Sequence, residues 1–253
     1  MSQPSIVALI PARAGSTRIK NKNINRLAGH PLLAYTIEAA KQSGVFSAVI
    51  VSTDSPVYAN IARYYGAEVP FLRPSELAGS LSPDIEWVEH CLLTLAQSGK
   101  TYECFSILRP TSPFRLPDTI CRAWQAFQAE DGVDSLRAVE KCKQHPGKMW
   151  VVRGKRMLPL LPFSPPNPPW HSSQYQALPE VYVQNASLEI AWSRIVTEEH
   201  TIAGTVIMPF FTEGYEGVDI NEPQTWHYVE SQLEANQARL PTITIDPFIA
   251  EEE

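Results

Sequence analysis

A segment near the N-terminus, Pro11-Ala12-Arg13-Ala14-Gly15-Ser16-Thr17-Arg18-Ile19-Lys20-Asn21-Lys22-Asn23, gathers Arg13, Arg18, Lys20 and Lys22 among small side chains. A polyphosphate asks for this combination: amides that reach its oxygens, cations that match its charge, and little bulk between. Gly15 lets the backbone approach a ligand closely. The spacing fits neither GxxxxGK[ST] nor GxGxxG, so it points to phosphate without naming the carrier. An isolated basic loop is most simply a solvated one. Position favours the phosphate reading, because the loop directly follows Ile6 to Ile10, a β-branched apolar run that reads as a buried strand.

From that strand onward, strand and helix signals alternate. Pro31 opens a helix with Leu33, Ile37 and Ala40 at helical spacing, and Gly44 ends it. Ala48 to Ser52 reads as the next buried strand. Ser55 caps a second helix that has Pro56 in its first turn and closes at Gly66. A helix over Asp84 to Ser98, a strand over Phe105 to Leu108, a helix from Pro117 to about Glu130 and a strand over Asp134 to Val139 follow. This order predicts an α/β fold, a Rossmann-like, doubly wound, mostly parallel sheet. Ligands of such sheets bind at the carboxyl ends of the strands, which directs attention to Pro11 onward, to Thr53-Asp54 and to Arg109 onward.

The second half changes character. A hairpin over Met149 to Met157 turns at Gly154, and Pro159 to Trp170 is too rich in proline for a helix or a central strand. Val181 to Trp192 reads as a β segment broken near Asn185-Ala186, Val206 to Met208 as short strand material, and Glu222 to Asn236 as a helix. The expected organisation is one domain over 1–238, with 149–192 as a hairpin, proline-rich arm and insertion. The tail 239–253 reads as a mobile end or a partner contact.

Composition narrows the partners. The 253 residues carry a net charge of −6, which excludes neither globularity nor a local anion site but gives no global attraction to nucleic acid or anionic membranes. The four cysteines form no CxxC pair and read as reduced thiols. The apolar run before Pro11 is too short for a signal-peptide core, and no later stretch spans a membrane. A cytoplasmic location is expected, with no nucleic acid and no membrane as partner.

The loop, read on through Ile24, resembles the signature of the acylneuraminate cytidylyltransferases, and the similarity continues in order along the chain. Val51-Ser52-Thr53-Asp54 resembles that family's second-strand segment, and Ala67 to Ala78 (AEVPFLRPSELA) its base-binding region. Arg109-Pro110-Thr111-Ser112-Pro113-Phe114-Arg115 is similar to its PTSP-(L/F)-R motif, and Gly217-Val218-Asp219-Ile220-Asn221 to its metal-binding segment. The resemblance implies a nucleotidyltransferase that moves CMP from CTP to the anomeric hydroxyl of a sialic-acid-like α-keto acid sugar and releases pyrophosphate. It also implies a homodimer and Mg2+ or Mn2+ as cofactor.

By the same resemblance Arg13, Lys22 and Asp219 carry catalysis. Ala12, Arg13, Gly15, Ser16, Lys22, Asn23, Arg73 and Asp84 bind the nucleotide, Asp219 and Asn221 the metal, and Gln184 and Asn185 the acceptor. Each has a plainer alternative: a surface ion pair for Arg73, an ordinary loop or cap role for Asp219, a β-bulge for Asn185. The chain departs from the family pattern at Thr17 (commonly Lys), Arg109 (commonly Gln), Asn221 (commonly Asp) and around Tyr175, where an arginine is missing. Arg109 is therefore expected to hold the acceptor's carboxylate in place of that arginine, or else to pair with a neighbouring acidic residue. Two other readings stay open: an octulosonate or phosphonate acceptor, and a non-catalytic nucleotide-binding homologue.

Overall fold

Strand β1 (Ile6–Pro11) is apolar because both its faces are covered. In the computed structural model, which describes residues 3–249, Ile6, Ala8 and Ile10 enter one core layer with Leu33, Ile37 and Trp124. Val7 and Leu9 enter the other with Trp87, Leu92 and Phe105. Successive side chains point to opposite faces, so a strand between two helical layers reads as a continuous hydrophobic run.

A two-stranded ribbon, β2 (Arg26–Leu27) and β3 (His30–Pro31), leads into α1 (Leu32–Ser43), which Gly44 ends in the left-handed conformation, φ 65°. Then come β4 (Ala48–Ser52), α2 (Pro56–Tyr64), α3 (Asp84–Gln97), β5 (Cys104–Ile107), α4 (Pro117–Ala129) and β6 (Ser135–Lys141). The Ser55 hydroxyl accepts from Tyr58 N at the start of α2, as its sequence predicts. The later elements are β7 (Trp150–Arg153), β8 (Arg156–Pro159), β9 (Tyr182–Trp192), α5 (Ser193–Glu199), β10 (Ile207–Phe211) and α6 (Pro223–Glu234).

The main sheet has the order β10-β6-β9-β5-β1-β4, with β1 parallel to β4 and β5. β9 enters between β5 and β6 and runs antiparallel to β5. That reversal matters for the site. The start of β9 lies at the edge where β5 ends, and Glu189 faces Ile107 across the pair. The break expected near Asn185-Ala186 is absent; β9 continues through it, because pairing within the sheet satisfies the backbone there.

The chain divides into two units. The larger comprises residues up to Ala138 and from Asn185 onward; the smaller is Val139–Gln184, so it begins and ends earlier than the 149–192 expected. In the smaller unit β7 and β8 form the hairpin, turning at Gly154 (φ 61°), and 160–169 carries neither helix nor strand. His145 there is buried and accepts from Gly147 N through Nδ1, which is loop structure.

The tail is not free over the residues described. Arg26 Nη2 donates to Phe248 O, Phe248 N to the Tyr65 hydroxyl, Tyr64 Oη to Asp246 O and Gln42 Nε2 to Thr242 O. Ile243 and Phe248 pack against the layer that contains α1 and α2. Apolar contact and satisfied carbonyls thus strap this segment down, against the first of the two roles expected, a mobile end or a partner contact. The glutamates at the terminus lie outside the described residues.

Candidate nucleotide and acceptor site

Because β4, β1 and β5 run parallel, their C-terminal ends share one edge, and the chain leaving them walls a cavity of about 390 Å3. The loop after β1 supplies Arg13, Ser16, Arg18, Lys22 and Asn23. The segment after β4 supplies Arg73, the first turn of α3 Asp84 and Trp87, and the turn after β5 Arg109 and Thr111. Ala186 comes from β9, and Asp219 and Asn221 from the chain before α6.

The loop after β1 is pinned from below. Ala14 N donates to Asp54 Oδ1 (2.8 Å), Asn23 Nδ2 to Arg13 O (3.3 Å), and Asn21 turns the chain with φ 54°. Its cations rest on carbonyls. Arg13 Nη1 donates to Gly15 O (3.1 Å) and Ala78 O (3.4 Å), and Lys22 Nζ to Ile220 O (2.7 Å) and Asn221 Oδ1 (3.3 Å). A carbonyl orients a cation without neutralising it. Burial lowers the Lys22 pKa; Asp219 opposes this, while Arg18 and Arg13 add to it. An arriving anion would relieve that repulsion.

Ala12 and Gly15 do not line the cavity. Ala12 is fully buried, with its N donating to Ser52 O (2.9 Å), so it anchors the loop to β4. A Cβ at Gly15 would meet Arg13 Nη1 at 3.6 Å, an ordinary contact. Nothing within the protein itself therefore requires glycine there.

Arg73 lies beneath the opposite wall, 5% exposed, with Nε donating to Ser52 Oγ (2.9 Å), Nη2 to Ser52 O (3.0 Å), and its guanidinium 4.9 Å from the Trp87 ring centroid. The surface ion pair offered as its alternative role is not what holds it. Asp84 Oδ1 accepts from Trp87 Nε1 (2.7 Å) and Oδ2 from Arg109 Nη2 (2.7 Å). Burial pushes the Asp84 carboxyl up, but Arg109, Trp87 and Arg73 together hold it below the usual range.

Arg109 also donates through Nη2 to Glu189 Oε1 (2.7 Å), and the other oxygen of Glu189 pairs with Arg137. The expected alternative, pairing with an acidic neighbour, is thus present twice. Sequence reasoning missed Glu189 and Arg137. Each stands in a strand whose neighbours are buried, Ser187-Leu188-Glu189-Ile190-Ala191 and Ser135-Leu136-Arg137-Ala138. A charge inside such a run needs a partner, and that was the available signal. Asn185 spends its amide locally, donating to Thr212 Oγ1 (2.9 Å) and accepting from Ser187 N (3.1 Å); its neighbour Ala186 lines the cavity instead. Gln184 falls in the smaller unit.

Among the described residues no three acidic, His or Cys side chains gather around a metal position. Asp219 offers a different arrangement. Its Oδ2 accepts from Asn221 Nδ2, while its Oδ1 is buried without a hydrogen-bond partner. Ile220 N donates to Thr111 O (2.8 Å), tying this segment to the turn after β5. One orphaned carboxylate oxygen suits a cation that takes most of its ligands from substrate phosphate and water. Asn221 links that carboxylate to Lys22, using both ends of its amide.

A family model described as cytidylyltransferase matches residues 7–95. Over 93% of its length the chain is 33% identical to the CMP-N,N'-diacetyllegionaminic acid synthase of Legionella pneumophila, spanning 99% of that protein. Over 49% of its length it is 48% identical to an N-acylneuraminate cytidylyltransferase of Escherichia coli, a match to 28% of that larger protein. Its fold is similar to that of CMP:2-keto-3-deoxy-manno-octonic acid synthetase complexed with CTP, with a TM-score of 0.66 at 13% identity over 92% of this chain and 99% of the other. It is similar also to a 4-diphosphocytidyl-2C-methyl-D-erythritol synthase from Anaerococcus prevotii, with a TM-score of 0.62 at 13% identity over 91% and 99%. The sheet, the loop after β1 and the collinear match along nearly the whole chain lead to one assignment: this chain belongs to the sialic-acid-type cytidylyltransferase family.

Proposed function

We propose that the protein transfers CMP from CTP to the anomeric hydroxyl of a sialic-acid-like α-keto acid sugar. The observation that carries this is the charge of the cavity. Arg13 and Lys22 line it with carbonyl and amide oxygens as their hydrogen-bond partners rather than carboxylates, which leaves their charge for a ligand in a protein of net −6. A nucleoside triphosphate, which stays anionic with a divalent cation bound, suits those cations; a neutral ligand does not.

Arg13 and Lys22 bind the β- and γ-phosphates and take up charge as pyrophosphate departs, already oriented by their carbonyl partners. Ser16 lines the phosphate path, and Asn23, Arg73 and Asp84 border the nucleoside side. The sugar hydroxyl oxygen forms a bond to the α-phosphorus as the bond to the bridging oxygen breaks, so the protein's main task is to hold both substrates in line. Asp219 would hold Mg2+ or Mn2+, with Asn221 orienting the carboxylate; when bound, the ion neutralises phosphate oxygens.

We also infer a homodimer. The smaller unit exposes the apolar side chains of Val152, Met157, Leu158 and Phe163, which a second copy would cover. Among the described residues no helix is long and apolar enough to cross a membrane, and a cytoplasmic location is proposed with the use of CTP. The test is pyrophosphate release with each of the four nucleoside triphosphates against a panel of acidic sugars. Release with CTP and a nine-carbon α-keto acid supports the reading. Release only with an octulosonate or a phosphonate moves the acceptor, and CTP binding without release indicates a non-catalytic homologue.

A further inference from the structure

The C-terminal segment grips the chain where it leaves the loop after β1. That loop ends in a short 3-10 helix, Lys22–Ile24, and runs almost directly into the β2–β3 ribbon. The ribbon has two residues in each strand, too few to hold its own shape. Its turn is also costly. Ala28 sits at φ 45° beside Gly29 at φ 94°, and a left-handed conformation brings the Cβ of an L residue close to the following carbonyl. Such a turn persists only where its surroundings impose it.

Two tyrosines and one residue of the C-terminal segment supply that constraint. Tyr35 Oη, from α1, donates to Leu27 O at 2.6 Å, with Ala28 O at 3.3 Å. Tyr65, buried at the end of α2, bonds through Oη to His30 Nδ1 (3.0 Å) and accepts from Phe248 N (3.1 Å). Phe248 O accepts from Arg26 Nη2 (3.0 Å). Phe248 thus reaches both strands of the ribbon, β2 directly and β3 through a single hydroxyl. Its ring stands edge-on to Tyr64, with centroids 5.3 Å apart. Asn25, next to Arg26, donates through Nδ2 to Lys20 O (3.0 Å), which carries the restraint back into the loop. Ile243 adds a second link. It shares an apolar cluster with Ile19 of the loop and with Ile220, whose carbonyl holds Lys22.

We propose that residues 242–249 are a positioning strap for CTP. Phe248 and Tyr65 are positioning residues that hold the ribbon, and through it Lys22, in the register that receives the triphosphate. The proposal rests on the reading of the loop after β1 as the CTP site. Its consequence is reciprocal: a docked strap favours CTP, and bound CTP holds the strap down. The strap has no helix or strand of its own and most of its residues are exposed, so it opens more readily than the sheet beneath it.

The test reads CTP binding by tryptophan fluorescence, pyrophosphate release with N-acetylneuraminate or N,N'-diacetyllegionaminate, and amide hydrogen exchange over 242–249. Tyr65→Phe keeps the ring and deletes the hydroxyl that joins Phe248 to His30. It should weaken CTP binding about three- to tenfold, the change that one net hydrogen bond represents, with the acceptor KM unchanged. Phe248→Ala should do the same, and Phe248→Tyr should recover most of the loss. Gln42→Ala is the control. It frees Thr242 O at the other end of the strap, and should lower the urea midpoint without moving CTP affinity. In the parent, CTP should slow exchange of the 242–249 amides, and acceptor alone should not. Unchanged CTP affinity in both Tyr65→Phe and Phe248→Ala, or an equal loss in Gln42→Ala, overturns the proposal and leaves the strap purely structural. Exchange over 242–249 that ignores CTP overturns it too. Should Tyr65→Phe fail to fold, Phe248→Ala, at a partly exposed position, decides alone. All these outcomes leave the functional reading intact as long as the parent releases pyrophosphate from CTP. A parent that neither binds CTP nor releases pyrophosphate overturns that reading, and this proposal with it.

Discussion

The two ends of the cavity hold their cations in opposite ways. At the loop after β1, Arg13 and Lys22 rest on the carbonyls of Gly15, Ala78 and Ile220, so each keeps its charge. At the β5–β9 end, Arg109 and Arg137 are tied to Asp84 and Glu189, charge for charge, and only Arg115, which has no carboxylate partner among the described residues, is left over. The first arrangement suits a polyanion whose charge grows as pyrophosphate leaves. The second suits a group whose position and single charge must be recognised. The difference teaches that counting arginines around a cavity does not say what it binds; their partners do.

This contrast breaks most visibly in stability. Glu189→Ala strips the carboxylate from two arginines in a nearly dry position and should cost about 3–5 kcal/mol in urea denaturation. Lys22→Ala removes a cation that has only carbonyl and amide partners, together with its burial penalty, and should leave the urea midpoint close to that of the parent. Equal losses in the two would erase the distinction between the ends.

Turnover should show the reverse ranking. Arg13→Ala and Lys22→Ala should each lower kcat about 100- to 1000-fold, the range found when one preorganised donor to a developing charge is removed. Full rescue by excess CTP would restrict both residues to ground-state binding. Next in size is the metal effect. Asp219→Asn, which replaces a carboxylate by an amide, should raise the Mg2+ concentration for half-maximal activity by at least about tenfold, beyond what loss of an outer partner does. Unchanged metal dependence would place the ligand elsewhere.

The loop after β1 was legible in the sequence because it is local. β1, the loop and its cations are contiguous, and helix boundaries such as Ser55-Pro56 and Gly44 carry their own signals. The β5–β9 end was legible only at Arg109, because it is assembled across the sheet. Arg109 meets Glu189 only because β9 enters antiparallel between β5 and β6, and no periodicity in Tyr182–Trp192 announces that pairing. α5, with seven residues, and the β2–β3 ribbon are too short to show a period. The strap over 240–249 depends on Tyr64 and Tyr65 at the end of α2, partners that its own composition does not reveal.

The smallest effect is expected at Asp84, where the two ends share a wall. Its carboxyl is pushed up by burial but held below the usual range by Arg109, Trp87 and Arg73. A carboxyl with a lowered pKa in the folded state contributes stability that is complete above its unfolded value, near 4, and is lost as pH falls through the lower folded value. Asp84→Asn removes that contribution. Since about a third of the side chain meets solvent, screening should limit the loss at pH 7 to about 1 kcal/mol or less. The gap between parent and variant, followed by urea denaturation from pH 7 downward, should stay constant to about pH 4 and then narrow. A gap that instead widens on acidification would mean that Asp84 is held protonated in the folded protein. In that case Arg109 is tied by Glu189 alone, and the net charge left at that end of the cavity is two rather than one.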